Sequence, residues 1–217
     1  MAGAAMFFEI DVAIRRGGQT VSGDFKALSG LTALFGPSGA GKTSVLDAVA
    51  GLLRPERGRI VVDGRTLFDS AAGVNLPPEQ RGCGYVFQDN RLFPHRTVAQ
   101  NLTFGLRLAP QGARWMTPDE AVDFLDLGHM LERMPRTLSG GEARRVAIGR
   151  ALLSGPKCVL MDEPLAFLDE ARREEIMQVI ERVRDELRLP ILYVSHDRTE
   201  VERLADQVIP VGPPASR

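Results

Sequence analysis

The sequence has little cysteine. Its 217 residues include two cysteines, Cys83 and Cys158, which form no CxxC or CxxH pattern. The pair therefore lacks the spacing that is typical of metal-binding and redox-active cysteines. We expect two buried thiols in a reducing compartment, since a free cysteine packs as a small apolar side chain.

The chain also lacks an excess of charge and a long apolar run. Its 27 basic and 28 acidic residues nearly cancel, so no basic field favours nucleic acid as a partner. No apolar run approaches the roughly 18 residues that cross a bilayer. The N-terminal segment carries Glu9 and Asp11 early and is typical of a first strand, not of a signal peptide. We expect a cytosolic chain that reaches a membrane only through a partner.

The residues that are present predict an α/β fold. Apolar residues make up 44% of the chain, enough for a sizeable core in one large domain. Short apolar runs alternate with helical patterns, which implies a parallel sheet covered by helices. The predicted strands are residues 31–35, 59–62, 84–87, 158–161 and 191–194.

Helical patterns divide the chain further. One apolar helix face is formed by Ile176, Val179, Ile180, Val183 and Leu187. Pro190 is predicted to end that helix. Residues from about 90 to 154 have few β-rich runs and two helical patterns, at 118–127 and 140–153. We interpret this stretch as a helical subdomain inserted into the α/β core.

A phosphate-binding loop is the strongest single motif. It matches G-x-x-x-x-G-K-[ST] and lies between a predicted strand and a helical pattern, as the motif requires. Its glycines let backbone N–H groups face phosphate oxygens, and the helix N-terminus favours an anion. Lys42 is predicted to contact the β- and γ-phosphates of ATP, and the Thr43 hydroxyl to bind Mg²⁺. The predicted nucleotide-binding residues are Gly36, Pro37, Ser38, Gly39, Ala40, Gly41, Lys42, Thr43 and Ser44.

An acidic pair, Asp162 and Glu163, follows the predicted strand 158–161. Side chains alternate along a strand, so the two carboxylates should point in different directions. Asp162 is predicted to serve Mg²⁺, and Glu163 to act as the general base or to position the attacking water. Such a pair alone is as often a helix cap or a solvated turn. The prediction therefore depends on the phosphate-binding loop.

The run Leu-Ser-Gly-Gly-Glu at residues 138–142 resembles the signature motif of ATP-binding-cassette (ABC) proteins. Glu142 stands where the final residue is usually Gln. Ser139 and Glu142 also form a capping box that opens a helix, and both interpretations can hold. The resemblance implies that Ser139, Gly140 and Gly141 contact the γ-phosphate of an ATP bound by the opposite subunit.

Other ABC motifs follow in the expected order. Gln88 resembles the Q-loop glutamine, which implies contact with Mg²⁺ and water and a link to a membrane subunit. Asp169 resembles the D-loop aspartate, which implies contact with the nucleotide, although Ala166 and Phe167 stand where Ser and Ala are usual. His196 resembles the switch histidine, which implies contact with the γ-phosphate. The resemblance covers residues from about 6 to 211 and implies catalytic roles for Gln88, Glu163 and His196.

One expected feature of ABC ATPases is missing. Many of them stack adenine on an aromatic residue between the first strands, but residues 9–24 contain no aromatic. Arg15 or Arg16 could stack on the base instead.

Residues 86–95, 51–55 and 76–81, with Glu142, resemble the ATPases of molybdate importers. The ATPases of sulfate, polyamine and sugar importers share much of this pattern. The resemblance implies a P-loop NTPase of the ABC type with a mixed or parallel sheet core. It implies an ATP-dependent, head-to-tail homodimer at the cytoplasmic face of the inner membrane. Its partners would be transmembrane permease subunits and, indirectly, a solute-binding protein.

The resemblance also suggests how the chain is divided. Residues 1–217 would form a single nucleotide-binding domain. Such subunits commonly carry a C-terminal regulatory β-domain, which we expect to be absent because the chain stops soon after residue 211. Leu92, Phe93 and Pro94 either receive a coupling helix of the membrane subunit or pack the helical subdomain.

Three other classes remain as alternatives. A soluble ABC ATPase of DNA repair would carry a long coiled coil between the two motifs, and this chain shows no sustained heptads. A non-hydrolysing, ATP-gated interaction module would not need Glu163 and His196. A P-loop small-molecule kinase would not need the run at 138–142.

Overall fold

The computed structural model describes residues 6–109 and 112–212. The strands are β1 (Phe8–Arg16), β2 (Gln19–Ala27), β3 (Leu31–Phe35), β4 (Arg57–Val62), β5 (Arg65–Asp69), β6 (Val74–Asn75), β7 (Cys83–Val86), β8 (Cys158–Asp162), β9 (Ile191–Ser195) and β10 (Gln207–Pro210). The helices are α1 (Lys42–Ala50), α2 (Val98–Leu108), α3 (Pro118–Phe124), α4 (Gly140–Leu152), α5 (Glu170–Asp185) and α6 (Arg198–Leu204). Among the described residues, no helix combines the length and the apolar character needed to span a bilayer.

A parallel sheet forms the centre of the molecule, with strand order β10-β3-β9-β8-β7. Every residue of β8 and β9 is buried, as expected for a parallel sheet that is covered on both faces. Four of the predicted strands, 31–35, 84–87, 158–161 and 191–194, correspond to strands of this sheet. Parallel strands place their carboxyl ends at one edge, where ligands bind in open α/β folds.

A second sheet is antiparallel, with order β2-β1-β4-β5-β6. The predicted parallel sheet is confirmed in the central sheet, and the antiparallel sheet beside it gives the mixed core that the family resemblance implied. Strand β1 alternates buried residues such as Phe8 and Ile10 with more exposed ones, because one face of this sheet covers the core. Helix α1 contacts both sheets, so the two layers hold it between them.

Three helices, α2, α3 and α4, lie between β7 and β8. Helices α3 and α4 match the patterns at 118–127 and 140–153, although α3 ends at Phe124 and α4 at Leu152. Helix α2 was not predicted. It begins with a capping box between Thr97 and Gln100, but the buried Asn101 interrupts its apolar pattern. The interpretation of residues 90–154 as an inserted subdomain stays a prediction.

Helix α5 buries Ile176, Val179, Ile180 and Val183, which confirms most of the predicted apolar face. The helix ends at Asp185, before Pro190, and Arg188, beyond its end, adopts a left-handed conformation with φ 52°. The backbone N–H of Leu187 bonds the carbonyl of Arg182 at 3.4 Å, a contact typical of helix C-termini. Leu187 and Pro190 therefore lie beyond the helix.

Candidate active site

The phosphate-binding loop connects β3 to α1. Gly41 precedes the first residue of α1 and has φ 93°, a conformation that favours glycine. A Cβ atom at this position would also collide with Cγ1 of Val21 on β2. Glycine is therefore required at Gly41 both for the backbone turn and for the close packing of the hairpin on the loop.

Lys42 is buried, with 4% of its surface exposed. Its Nζ donates to the carbonyl of Gly36 at 2.7 Å and to that of Pro37 at 3.0 Å. Burial lowers the pKa of Lys42, whereas the nearby carboxylates of Glu163 and Asp162 raise it. The ammonium group thus lies inside the loop, where phosphate oxygens would replace the two carbonyls.

Asp162, the last residue of β8, lies against the start of α1. The Thr43 hydroxyl donates to its Oδ1 at 2.9 Å. Burial raises the pKa of Asp162; Asp47 and Glu163 raise it further, whereas the Thr43 hydrogen bond and Lys42 lower it. A buried carboxylate beside a hydroxyl forms part of a hard-oxygen donor set suited to Mg²⁺.

Glu163 turns away from its neighbour. Its φ of 43° is left-handed, and its N–H bonds the Val194 carbonyl at 3.1 Å. Its Oε1 lies 3.2 Å from Nδ1 of His196, which follows β9 and is half exposed. The predicted divergence of the two carboxylates is therefore observed, with Asp162 on Thr43 and Glu163 on His196.

Two adjoining clefts meet at Gln88 and Glu163. The first has a volume of 480 Å³ and is lined by the phosphate-binding loop. The second has a volume of 300 Å³ and is lined by His196 and the segment that precedes α5. The structure thus brings Gln88, Glu163, His196 and the loop to one edge of the parallel sheet.

The first cleft also contains residues that sequence reasoning did not assign. Gln19 and Val21 of the β1–β2 hairpin line it. Arg16 Nη1 donates to the Ser44 hydroxyl at 3.0 Å. Of the two arginines proposed for the base, Arg16 lines the cleft and Arg15 does not.

The signature segment lies elsewhere. Ser139 caps α4: its hydroxyl accepts from the Glu142 N–H at 3.3 Å, and its own N–H donates to Glu142 Oε2 at 2.6 Å. These bonds, led by that of the Ser139 N–H, and the Arg133 ion pair lower the pKa of Glu142. Residues 139–141 line neither cleft. The structure therefore does not bring them to the phosphate-binding loop of their own chain.

Asp169, predicted to bind the nucleotide, caps helix α5. Its Oδ1 accepts from the Arg172 N–H at 3.0 Å, and its Oδ2 pairs with the Arg172 guanidinium at 2.9 Å. The preceding Leu168 packs beside the signature segment, since a Cβ atom on Gly140 would lie 2.9 Å from its Cδ2. Asp169 thus lies beside the signature segment and lines neither cleft.

A buried polar network supports His196, and sequence reasoning missed it. Glu200 accepts from the Tyr193 hydroxyl at 2.8 Å, the Ser195 hydroxyl at 2.7 Å and Arg173 Nη2 at 2.6 Å. The Asp197 N–H donates to the Ser195 hydroxyl at 2.9 Å. Ser195, which precedes His196, therefore bonds Glu200 directly. Asp197, which follows His196, is connected to Glu200 through the Ser195 hydroxyl.

The segment after Gln88 packs mainly against its own chain. Leu92 contacts the apolar core, and the Phe93 ring lies 4.5 Å from the ring of Phe104 on α2. Leu92 and Phe93 are half-buried, whereas Pro94 is exposed. Leu92 and Phe93 thus pack in part against their own chain, and contact of this segment with a coupling helix stays a prediction.

With this geometry described, the chain can be compared with known proteins. The ABC transporter family matches residues 20–166. The chain belongs to this family, as the motifs predicted.

Its relatives include molybdenum import proteins. The chain is 55% identical over 201 residues to the molybdenum import ATP-binding protein ModC of Rhodospirillum rubrum, covering 93% of this chain and 54% of the relative. It is 56% identical over 195 residues to ModC of Brucella abortus, covering 90% and 54%. The chain therefore spans about half the length of the curated relatives it matches.

Solved structures share the fold. The cbiO1 protein of Clostridium perfringens, part of the ABC transporter complex cbiONQ, has a TM-score of 0.77 at 26% identity, covering 97% of this chain and 87% of that one. The ATP-binding cassette MJ0796, a dimer in a post-hydrolysis state bound to ADP and Pi, has a TM-score of 0.75 at 24% identity, covering 95% and 94%. The likeness supports an ABC-type α/β fold.

Proposed function

We propose that this chain is the ATP-hydrolysing subunit of an ABC importer that takes up molybdate. The observation that carries the proposal is the meeting of the phosphate-binding loop, Asp162 and the Glu163–His196 pair at one sheet edge. The molybdate assignment rests on the identity with ModC proteins. Sulfate, polyamine and sugar importers remain the alternative substrate classes.

ATP would bind with its phosphates in the first cleft. The α1 N-terminus and the loop N–H groups favour an anion. Lys42, now bonded to two carbonyls, would turn its charge to the β- and γ-phosphates. Arg16, held by Ser44, lies where it can contact the nucleotide beyond the phosphates.

Mg²⁺ fits the residues beside this loop. Thr43, Asp162 and Gln88 offer a hydroxyl, a carboxylate and an amide oxygen, and Mg²⁺ is usually held by one or two carboxylates plus substrate phosphates. Burial raises the pKa of the Asp162 carboxylate, and the Thr43 hydrogen bond and the Lys42 charge offset this only in part, so a further cation beside this carboxylate would be favoured. The metal would supply charge neutralisation on the phosphate oxygens.

Hydrolysis would use Glu163 and His196. A water held by Glu163 gives its proton to the carboxylate as its oxygen attacks the γ-phosphorus, and the bond to the β-phosphate oxygen breaks. Nδ1 of His196, 3.2 Å from Glu163 Oε1, orients that carboxylate. Gln88 lines both clefts and would hold the same water.

Two copies would share two ATP molecules in a head-to-tail dimer. Residues 139–141 lie outside the clefts of their own chain, and Gly140 is exposed. Each segment can therefore complete the site of the partner, with Asp169 at the contact. ATP would close the dimer by binding the closed state more tightly.

The remaining partners follow from the same proposal. Permease subunits would anchor the dimer at the cytoplasmic face of the inner membrane, with Pro94 exposed near their contact. A solute-binding protein would act through the permease. We further propose that residues 1–217 form one nucleotide-binding domain with a helical subdomain at about 90–154.

Reconstitution tests this proposal. The chain is expressed with its cognate permease, placed in vesicles, and assayed for ATP hydrolysis with the solute-binding protein and molybdate. We expect molybdate to raise the rate severalfold and sulfate to leave it unchanged, and Glu163→Gln to abolish it. Stimulation by sulfate, a polyamine or a sugar instead would replace the molybdate assignment. Failure to associate with the permease would refute the importer assignment.

A further inference from the structure

The segment that carries Gln88 is held by arginines of α4. Between β7 and α2, residues 87–97 form neither helix nor strand. Arg144 Nη1 donates to the Phe87 carbonyl at 2.7 Å, and its Nη2 donates to the Gln88 carbonyl at 2.8 Å. Arg150 Nη1 donates to the Arg91 carbonyl at 2.6 Å, and its Nη2 donates to the Asn90 carbonyl at 2.9 Å. Two guanidinium groups on one helix thus hold four carbonyls of this segment.

The backbone conformation matches these contacts. Asn90 and Arg91 have φ values of 61° and 44°, in the left-handed region that non-glycine residues rarely adopt. Both of their carbonyls face Arg150. Such strain persists only where surrounding contacts determine the conformation, and it concentrates at functional sites.

Arg144 is an unfavourable residue for stability alone. Its exposed fraction is 2%, and burial lowers its pKa to about 10, so it is still charged at neutral pH. In the described part of the chain, no carboxylate forms an ion pair with it. Its Nε has no hydrogen-bond partner there either. A buried cation without a carboxylate partner costs free energy, so its retention calls for a role beyond packing.

Arg144 connects two segments that belong to different ATP sites in the proposed dimer. The Gln88 side chain lines the clefts of its own chain together with Glu163. Helix α4 begins at the signature segment, capped by Ser139, which lines neither cleft of its own chain. Arg144 lies one turn into α4 and joins the two directly.

We propose that Arg144 is a positioning residue that fixes the backbone of Gln88 to helix α4, with Arg150 holding the next residues. Gln88 and the signature segment then move as one body when ATP closes the dimer, so the site of one chain responds to the site of its partner. This inference rests on the proposed ATP hydrolysis and names the residues that link its two sites.

The variants Arg144→Lys and Arg144→Gln test it, with Arg182→Gln as the matched control. Arg182 also donates to a backbone carbonyl, that of Phe124 at 2.7 Å, and stacks on the same residue's ring at 4.1 Å. It lies on α5, and its hydrogen bonds go to Phe124 and Glu186, not to the segment that carries Gln88. Lysine keeps the charge of Arg144 but lacks the planar fork that reaches two carbonyls.

We expect Arg144→Lys to lower kcat at least tenfold and to leave the KM for ATP within about twofold. The Mg²⁺ concentration for half-maximal rate should rise severalfold, because Gln88 is displaced. A purely structural role would lower the melting temperature without moving the Mg²⁺ dependence. Arg182→Gln should match the wild type. If Arg144→Lys folds and its kcat and Mg²⁺ dependence are unchanged, the proposal is overturned. If Arg144→Gln does not fold, the result for Arg144→Lys is the one that tests the proposal.

Hydrogen exchange separates this inference from the proposed function. With an ATP analogue and Mg²⁺, residues 86–92 and 139–143 should become protected together in the wild type. In Arg144→Lys, residues 86–92 should lose that protection while 139–143 keep it. Equal protection of both segments in the variant would refute the link. If the wild type and Arg182→Gln were both inactive, the proposed ATP hydrolysis itself would be contradicted.

Discussion

Asp162 is a buried carboxylate beside a buried lysine, and its charge is balanced only in part. Burial is the largest cause of its raised pKa. A group whose pKa is higher in the folded state binds its proton more tightly there, so ionisation favours unfolding as pH rises. The penalty is absent below the ordinary pKa of aspartate, about 4, and complete above the folded value.

We therefore expect Asp162→Asn to stabilise the chain at pH 7 in the absence of nucleotide and Mg²⁺. A gain of about 1 kcal/mol would raise the Tm by roughly 2–4 °C in a chain of this length. Thermal unfolding at pH 7 and near pH 4 measures it, and the gain should vanish at the lower pH. A lower Tm at pH 7 would show that the Thr43 and Lys42 contacts outweigh burial.

Glu200 is a second residue whose environment sets a clear expectation. It is 6% exposed and accepts three hydrogen bonds. Glu200→Gln should cost about 2–3 kcal/mol, since it replaces an acceptor of charge-assisted bonds in a buried network. Denaturant unfolding measures the loss. Glu202→Gln is the control, because its ion pair with Arg198 is exposed and should contribute little to stability.

At the residue level, the sequence predicted the groups that lie in contiguous motifs. The loop at 36–43 is formed by consecutive residues, so the spacing of its glycines and Lys42 was enough to predict it. Gln19 and Val21 enter the cleft from a hairpin that sheet packing places there, and Glu200 reaches Ser195 through the fold. Arg144 binds carbonyls, which carry no sequence signal. Such contacts depend on tertiary structure and could not be predicted from one sequence.

At the level of elements, helix α4 depends on its capping box. The pKa of Glu142 is lowered mainly by the Ser139 N–H. A lowered folded pKa contributes stability that is present above the ordinary pKa and is lost as pH falls through the folded value. The hydrogen bonds between Ser139 and Glu142 also keep the Glu142 carboxylate at the start of α4.

Glu142→Gln keeps a capping side chain but loses the charge and the Arg133 ion pair. We expect a loss of about 1 kcal/mol or less at pH 7, shrinking below about pH 4. ATP-driven dimerisation should change less than about twofold, because the cap holds the carboxylate away from the phosphate. Sedimentation with ATP measures the dimer. A markedly tighter dimer would show that the Glu142 charge does repel the nucleotide.

Elements differed in how well the sequence predicted them. Strands β8 and β9 are continuous apolar runs and were correctly placed. Helix α2 was missed because Asn101 occupies a core position, where it accepts from the Phe93 N–H at 2.8 Å. A polar residue that satisfies backbone groups inside the core disrupts the apolar periodicity on which helix prediction relies.

At the level of the whole molecule, the parallel sheet followed from alternating strands and helices. The antiparallel sheet did not, because the pairing of β1 with β4 joins segments far apart in the chain. The clefts lie where the loop, Glu163 and His196 meet. Residues 139–141 lie outside both clefts, which agrees with the proposal that a second copy completes each site.

The central claim is that two copies complete each other's ATP sites. It is tested most directly by the rate of ATP hydrolysis per chain against protein concentration, for the wild type, Glu163→Gln and, as control, Glu175→Gln on the exposed face of α5. We expect the rate per chain of the wild type and of the control to rise with protein concentration toward a plateau. Glu163→Gln should show no turnover. A rate per chain that is independent of concentration from the lowest dilution, or unchanged turnover in Glu163→Gln, would contradict the account.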